Sequence, residues 1–203
     1  MMDTIHYKLA ALVILATTAL GCASEAEPDE EMAESSDALT GTRGDASCTP
    51  SRAAGAVPAK HRALLDTIAW TEGTSGRGSD GYNVIVGYKY AASCNRHPNR
   101  VVRLSSRLSS SAAGRYQFLT GTWNSLGYPT FQPDNQDRAG MKLVERRGVT
   151  LRTDRAMTAT ELSNVLSKIS YEWASLPPGR YGQPVKTASQ VRAEYCRHAG
   201  CGG

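Results

Sequence analysis

One acid, Glu72, stands where a predicted helix meets a glycine-rich loop. Upstream, Leu65, Ile68 and Ala69 are three and four residues apart, which predicts a helix over residues 60–71 with one apolar face. Partial burial and the negative end of the helix dipole both disfavour the ionised carboxylate, so this position suits a general acid. The alternative is a solvated helix-end residue paired with Arg77.

A second candidate group is formed by Gly114, Arg115, Tyr116 and Gln117, which follow a run of small residues at 109–113. Such a run lets backbone approach a ligand closely, and an aromatic ring beside an amide suits a polar polymer such as a sugar chain. The alternative is a glycine that precedes a helix, with Tyr116 packed in the core. Periodicity alone favours that alternative.

The elements that must position these side chains are mostly helical. Residues 82–90 are rich in β-branched and aromatic types and predict a strand or hairpin. A capping-box pair, Thr158 and Glu161, begins the clearest amphipathic pattern. Further helices are predicted over 133–147, 158–173 and 187–195. We therefore predict an α+β fold, a single mostly helical domain with a small β-hairpin.

The first residues resemble an export signal. An apolar run at 9–20 follows Lys8 and ends in small residues before Cys22, which predicts a lipoprotein-type signal peptide over 1–21 with Cys22 as the lipidated residue. Plain secretion and an uncleaved anchor are the alternatives. The segment 22–50 is acidic, poor in apolar residues and without periodicity, so we predict a disordered tether before a domain at 51–203.

Without this leader the chain is strongly basic. Residues 48–203 contain 21 Lys plus Arg against 10 Asp plus Glu, a net charge near +11, whereas the whole chain carries +4. A basic domain favours an anionic polymer as partner. Nucleic acid is disfavoured because the chain shows no recognisable binding fold and is predicted to be exported. The bacterial cell wall fits both observations.

Four cysteines remain if Cys22 carries lipid, and an even number fits an oxidising compartment. Of the three possible pairings we favour Cys196 with Cys201, which are close in sequence, and Cys48 with Cys94. A zinc site that uses His198 is disfavoured, because paired C-x-x-C spacing is absent from the sequence.

Other chemistry finds little support in the sequence. It contains no phosphate-binding G-x-x-x-x-G-K, no G-x-S-x-G and no H-E-x-x-H. His97, beside a proline in a polar loop, is interpreted as solvated and not as a ligand or base. We therefore expect no cofactor and no metal.

Several stretches together resemble the lambda-type phage lysozymes, or endolysins, in order and spacing from about residue 61 to 183. The stretches are AWTEGT at 69–74, GYNVIVG at 81–87, AGRYQ at 113–117, WASLP at 173–177 and YGQ at 181–183. The chain departs from the family pattern at two places. Asn83 stands at a position where the family pattern has aspartate, and the loop around Cys94 differs.

The resemblance implies a lysozyme-like fold and a peptidoglycan lytic transglycosylase with Glu72 as its catalytic acid. Separately, the lipoprotein-type signal predicts a lipid anchor on Cys22 that faces the periplasm, and Ala23 in place of the aspartate associated with inner-membrane retention favours the outer membrane. We expect a monomer. The cleft residues that the resemblance implies are Tyr82, Asn83, Gly114, Arg115, Tyr116, Gln117 and Tyr181.

Such an enzyme cleaves the β-1,4 bond between N-acetylmuramic acid and N-acetylglucosamine and leaves 1,6-anhydromuramyl ends, with Glu72 first as acid and then as base. One alternative is a hydrolytic muramidase in which Asp80 supplies a second carboxylate, although we interpret Asp80 as facing solvent. The other is a wall-binding lipoprotein that does not catalyse a reaction.

Overall fold

The computed structural model describes Cys48 and residues 57–182 and 185–201. The predicted signal peptide, Cys22, the rest of the predicted tether and Gln183 lie outside the described residues. Within the described part of the chain, no helix combines the length and the apolar character needed to cross a membrane.

The described residues form five α-helices and four short β-strands, which confirms the predicted α+β class. The strands pair in two separate antiparallel sheets, β1 with β2 and β3 with β4. In chain order the elements are α1 (Ala59–Thr71), β1 (Val84–Ile85), β2 (Lys89–Tyr90), β3 (Val102–Ser105), β4 (Leu108–Ser110), α2 (Thr120–Leu126), α3 (Pro133–Arg146), α4 (Ala159–Ile169) and α5 (Ala188–Ala199).

Helix α1 lies at the centre of the helical part and packs against both α3 and α5. Its predicted apolar face is buried, with Leu65 and Ile68 each 0% exposed. Burial of an aliphatic side chain of this size contributes about 2 kcal/mol relative to its exposed state. The helix is therefore fixed along its length, and its last residues are held in place by the core.

The predicted helices agree with the structure except near their ends. The capping box of Thr158 and Glu161 is present at the start of α4, which ends at Ile169, four residues before Trp173. Trp173 belongs to the core, where its indole N–H donates to the carbonyl of Tyr116 at 3.0 Å. Helix α5 continues four residues beyond the predicted end, to Ala199.

The β3–β4 hairpin was not predicted from the sequence, which indicated a polar loop and a small-residue run in this region. Each strand has only one or two apolar residues, too few for a clear alternation. The inner side chains of β3, Val102 and Leu104, pack against a second small core that contains Val86 and Ala112. This packing, which involves residues distant in sequence, makes the segment a hairpin.

Two disulfides close loops in the domain, Cys48–Cys94 and Cys196–Cys201. These are the favoured pairs, and they leave the zinc alternative at His198 without its cysteine ligands. Cys48 and Cys94 are both 0% exposed. The first bridge therefore attaches the N-terminal side of the domain to the loop that follows β2.

His97 is buried, and the interpretation of this residue as solvated is wrong. Its imidazole Nε2–H donates to the carbonyl of Phe118 at 2.8 Å, and Nδ1 accepts from the backbone N–H of Asn99 at 3.1 Å. The ring also lies edge-on to Phe131, with centroids 4.9 Å apart. The polar sequence around His97 did not indicate that its side chain is buried and forms hydrogen bonds with the backbone.

Burial lowers the pKa of His97 below its ordinary value. Below a pH of about 6.5, His97 is protonated in the unfolded chain but stays neutral in the native state. The free energy of unfolding should therefore fall as the pH drops from there toward the lowered pKa. We expect His97→Gln, although less stable at pH 7.5, to lose less stability between pH 7.5 and 5 in urea titrations. Equal pH dependence of the two proteins would contradict this account.

Candidate active site

A narrow cleft lies between the end of α1 and the first hairpin. Among the described residues, one carboxyl group faces this cleft, that of Glu72, and the side chains of the opposite wall are mainly apolar. Strand β1 and the turn that follows it form this wall. The described residues that line the cleft are Glu72, Thr74, Val84, Ile85, Val86, Gly87, Tyr88 and Gln117.

Glu72 is the C-cap residue of α1, as the sequence predicted, and is half-buried. The hydroxyl of Ser175 donates to its Oε1 at 2.6 Å and also lies 3.1 Å from the hydroxyl of Thr71. Thr71 in turn donates to the carbonyl of Ile68 at 2.8 Å. The hydrogen bond from Ser175 therefore sets the orientation of the carboxyl group relative to the helix.

The glycine-rich loop after Glu72 folds back over the cleft. Thr74 donates to the carbonyl of Arg115 at 2.6 Å, and Arg77 donates to the carbonyl of Gly73 at 2.8 Å. The guanidinium of Arg77 lies 4.1 Å from the centre of the Tyr88 ring. Tyr88 thus lines the cleft near the acid, with one face of its ring covered by Arg77.

The turn at 114–117 forms the back of the cleft. Gly114 has φ +78°, and its N–H donates to the carbonyl of Val84 at 2.7 Å. A Cβ atom here would collide with the side-chain oxygen of Gln136, so this position requires glycine. Gln117, with φ +48°, donates to the carbonyl of Gly114 at 2.9 Å and lines the cleft with Glu72.

Arg115 is 2% exposed and links the loop to the helical part. Its guanidinium lies 3.0 Å from the carboxylate of Asp66 on α1 and 2.6 Å from that of Asp80 in the loop. Asp80 also accepts from the N–H of Gly76 at 3.0 Å, although its side chain is 39% exposed. The carboxylate of Asp80 is therefore held by an ion pair as well as being partly exposed to solvent.

Tyr82 and Tyr116 lie behind the cleft and are fully buried. Both hydroxyls donate to one carboxylate oxygen of Asp137, at 2.8 and 2.6 Å. Burial raises the pKa of Tyr116 far above its ordinary value, so its hydroxyl stays protonated as a donor. Asn83 is 1% exposed and accepts from the N–H of Ser79 at 2.9 Å.

Tyr181 is not among the described residues that line the cleft, and its hydroxyl donates to the carbonyl of Tyr171 at 3.3 Å. Among the predicted cleft residues, only Gln117 has a side chain that lines the cleft with Glu72. Tyr82, Asn83, Arg115 and Tyr116 support the cleft from behind, and direct contact of these residues with substrate stays a prediction.

Sequence reasoning missed Ser175 and Tyr88 as site residues. Ser175 lies in the WASLP stretch that carried part of the resemblance, but no periodic or chemical signal connects it with Glu72, about a hundred residues earlier. Tyr88 was counted only as one of the aromatic residues that predict a hairpin. Its φ of +60° turns it out of the strand at the β1–β2 turn.

A helix that ends in a half-buried acid, facing a small β-sheet across a cleft, is the architecture of a lysozyme-like enzyme that cleaves glycans. The sequence model of the Endolysin family matches residues 62–201. The chain belongs to the endolysin family and is a lysozyme-like, peptidoglycan-degrading enzyme of the lambda type.

Individual relatives agree with this assignment. The endolysin of Escherichia phage lambda is 35% identical over 144 residues, which cover 67% of this chain and 89% of the phage protein. The endolysin of Escherichia phage P2 is 32% identical over 138 residues, 60% of this chain and 81% of that protein.

The fold is similar to solved structures of the lambda enzyme. A structure of bacteriophage lambda lysozyme complexed with a chitohexasaccharide superposes with a TM-score of 0.64 at 33% identity, over 71% of this chain and 96% of that one. A second structure, lysozyme from bacteriophage lambda, gives a TM-score of 0.59 at 29% identity, over 70% of this chain and 95% of the other.

Proposed function

We propose that this endolysin is a lytic transglycosylase, which cleaves peptidoglycan between N-acetylmuramic acid and N-acetylglucosamine without consuming water. The observation that carries the proposal is that, among the described residues that line the cleft, Glu72 supplies the one carboxyl group. A glycosidase that hydrolyses its substrate usually needs two carboxyl groups across the scissile bond.

Asp80 is the nearest acid in sequence, but its contacts do not suit the second role. Its carboxylate forms an ion pair with Arg115 at 2.6 Å and accepts from Gly76, so it serves to hold the glycine-rich loop. Activation of a water molecule by Asp80 would require this pair to open.

The proposed reaction uses Glu72 twice. As the protonated acid it gives its proton to the glycosidic oxygen, and the bond from that oxygen to the anomeric carbon of the muramyl residue breaks. The 6-hydroxyl oxygen of the same residue then bonds to the anomeric carbon and gives its proton to the Glu72 carboxylate. The products are a free 4-hydroxyl and a 1,6-anhydro ring, and the acid is restored. An internal nucleophile has a high effective concentration, so a second carboxylate is not required.

Contacts of other described residues near Glu72 support this proposal. Ser175 fixes one oxygen of the Glu72 carboxyl group, while Tyr88 and Gln117 offer an aromatic face and an amide beside it. A chitohexasaccharide, the ligand in the lambda lysozyme complex, is a chain of N-acetylated sugars like the peptidoglycan backbone. We infer that the glycan strand lies along this cleft.

We also propose that the enzyme works at a membrane surface. The sequence up to Cys22 has the form of a lipoprotein signal, and the acidic segment after it would act as a tether. A lipid on Cys22 would hold the domain on the periplasmic face of a membrane, with the outer membrane preferred.

The test of the transglycosylase reaction is mass spectrometry of the soluble products from purified peptidoglycan. We expect anhydromuramyl ends, which are lighter by one water than the reducing ends made by hydrolysis. Reducing ends would overturn the proposal in favour of a muramidase, and Asp80→Asn would then be expected to abolish them.

A further inference from the structure

A long part of the chain around the first two sheets carries no acid. Between Asp80 and Asp134 the sequence has no aspartate or glutamate, but it has six basic residues. Arg115 is buried and paired with carboxylates, as described above, whereas the other five are exposed: Lys89, Arg96, Arg100, Arg103 and Arg107. The charged residues of this part of the domain are therefore all basic.

The β3–β4 hairpin and the residues just before it carry three of these five exposed basic residues. Arg103 points outward from β3, opposite the exposed Ser109 on β4, and Arg100 and Arg107 lie just before β3 and in the turn. None of the three arginines forms an ion pair with another described residue. We call these three arginines, with the 71% exposed Val101, the basic hairpin surface.

The hairpin is attached directly behind a residue of the active-site cleft. Gly87 lines the cleft, and the position of a Cβ atom on it would lie 3.8 Å from Cγ1 of Val102 and 4.0 Å from Cδ2 of Leu104. The inner face of β3 thus packs against the cleft wall, while its outer face carries Arg103, with the exposed Arg100 and Arg107 nearby in sequence. A polymer that leaves the cleft over this wall would meet the basic hairpin surface.

We propose that the basic hairpin surface binds the carboxylates of the peptides that peptidoglycan carries, so that the enzyme prefers peptide-bearing strands to bare glycan. This inference rests on the proposed function, since it names which form of the substrate the cleft receives. Guanidinium groups pair with carboxylates through two parallel hydrogen bonds, and cations without nearby acids raise the local concentration of an anionic polymer.

A lipid bilayer is the competing partner for a surface with cations and an apolar side chain. The basic hairpin surface offers one exposed aliphatic residue, Val101, which is too little apolar area for insertion between acyl chains. It is instead attached to the wall of the cleft in which we infer that the glycan strand lies. The observations therefore favour the peptides of the substrate.

The test measures binding with the full chain carrying Glu72→Gln, which prevents cleavage of the substrate. The triple variant Arg100→Gln, Arg103→Gln, Arg107→Gln is compared with a control triple that removes the same charge from exposed residues of α3 and α5, Arg138→Gln, Arg146→Gln and Arg192→Gln. The ligands are intact sacculi, sacculi with chemically amidated carboxyl groups and peptide-free glycan.

We expect the hairpin variant to bind intact sacculi about tenfold more weakly, because exposed ion pairs each contribute a few-fold at most. Binding to amidated sacculi and to peptide-free glycan should be unchanged, and the control triple should change all three by less than about twofold. An equal loss on peptide-free glycan, or an equal loss in the control triple, would overturn the inference.

Vesicles of anionic phospholipid distinguish the membrane reading. A loss of vesicle binding in the hairpin variant without a loss on intact sacculi would overturn the inference and assign the surface to a membrane. The product analysis tests the proposed function separately. Reducing ends would overturn the transglycosylase reaction but would not change the ratios of binding to the three ligands. If the products have anhydro ends but the protein binds all three ligands equally, the inference about peptides is overturned and the proposed function stands.

Discussion

Replacement of Glu72 by glutamine is expected to lower the rate of peptidoglycan cleavage by at least about a thousandfold, since general acid and base catalysis typically contribute factors of this order. Glutamine has the shape of the protonated acid and keeps an oxygen that can accept from Ser175, but it cannot give up or receive the proton. The measurement is the release of soluble muropeptides from purified peptidoglycan, with sedimentation of the protein on sacculi as the measure of binding.

The matched control is Glu145→Gln, which removes an exposed carboxylate from α3 and is expected to leave the rate unchanged. Ser175→Ala is expected to fall between the two, because it keeps the acid and removes the hydroxyl that orients it. Retention of wild-type turnover by Glu72→Gln would remove Glu72 from catalysis. Absence of turnover from the folded wild type would favour the wall-binding protein without catalysis.

The helical part of the fold was predictable because its signals are local. The apolar spacing of α1, the proline that begins α3 and the capping box of α4 each lie within one or two turns, and the structure reproduces all three. The β3–β4 hairpin had no such signal. Its strands are stabilised because Val102 and Leu104 pack against the small core that contains Val86, whose residues are distant in sequence.

The site was predictable in its acid and less so in its surroundings. Glu72 could be found because a helix stop and an acid on the apolar face are both sequence patterns. Ser175 could not, since its contact with Glu72 depends on how the segment after α4 packs against the end of α1. The sequence also does not separate a tyrosine that faces substrate from one that donates to a buried acid, as Tyr82 and Tyr116 do.

Replacement of Arg115 by methionine is expected to lower the free energy of unfolding by about 3–5 kcal/mol, the usual cost when one partner of a buried ion pair is removed. Asp66, 7% exposed, would lose the guanidinium 3.0 Å away, and Asp80 would lose its tie to the helical part. Urea unfolding followed by circular dichroism measures the difference. Arg96→Met, at an exposed position in the loop after β2, should cost less than about 0.5 kcal/mol.

Two further variants make the result interpretable if Arg115→Met folds poorly. Arg115→Lys keeps the charge but lacks the forked guanidinium that reaches two carboxylates, so an intermediate loss of stability is expected. Addition of Asp66→Asn to Arg115→Met should recover part of the loss, because a buried carboxylate that has lost its guanidinium partner is then replaced by a neutral amide.

The same variants separate support of the cleft from contact with the glycan. If Arg115 holds the loop, as its burial and ion pairs indicate, stability and activity should fall together, and both should recover in part in the double variant. If Arg115 contacts substrate, Arg115→Met should instead weaken binding to peptide-free glycan while the free energy of unfolding stays at the wild-type value. That outcome would show that Arg115 binds substrate and does not only hold the loop. The glycine-rich loop would then have to open when substrate binds.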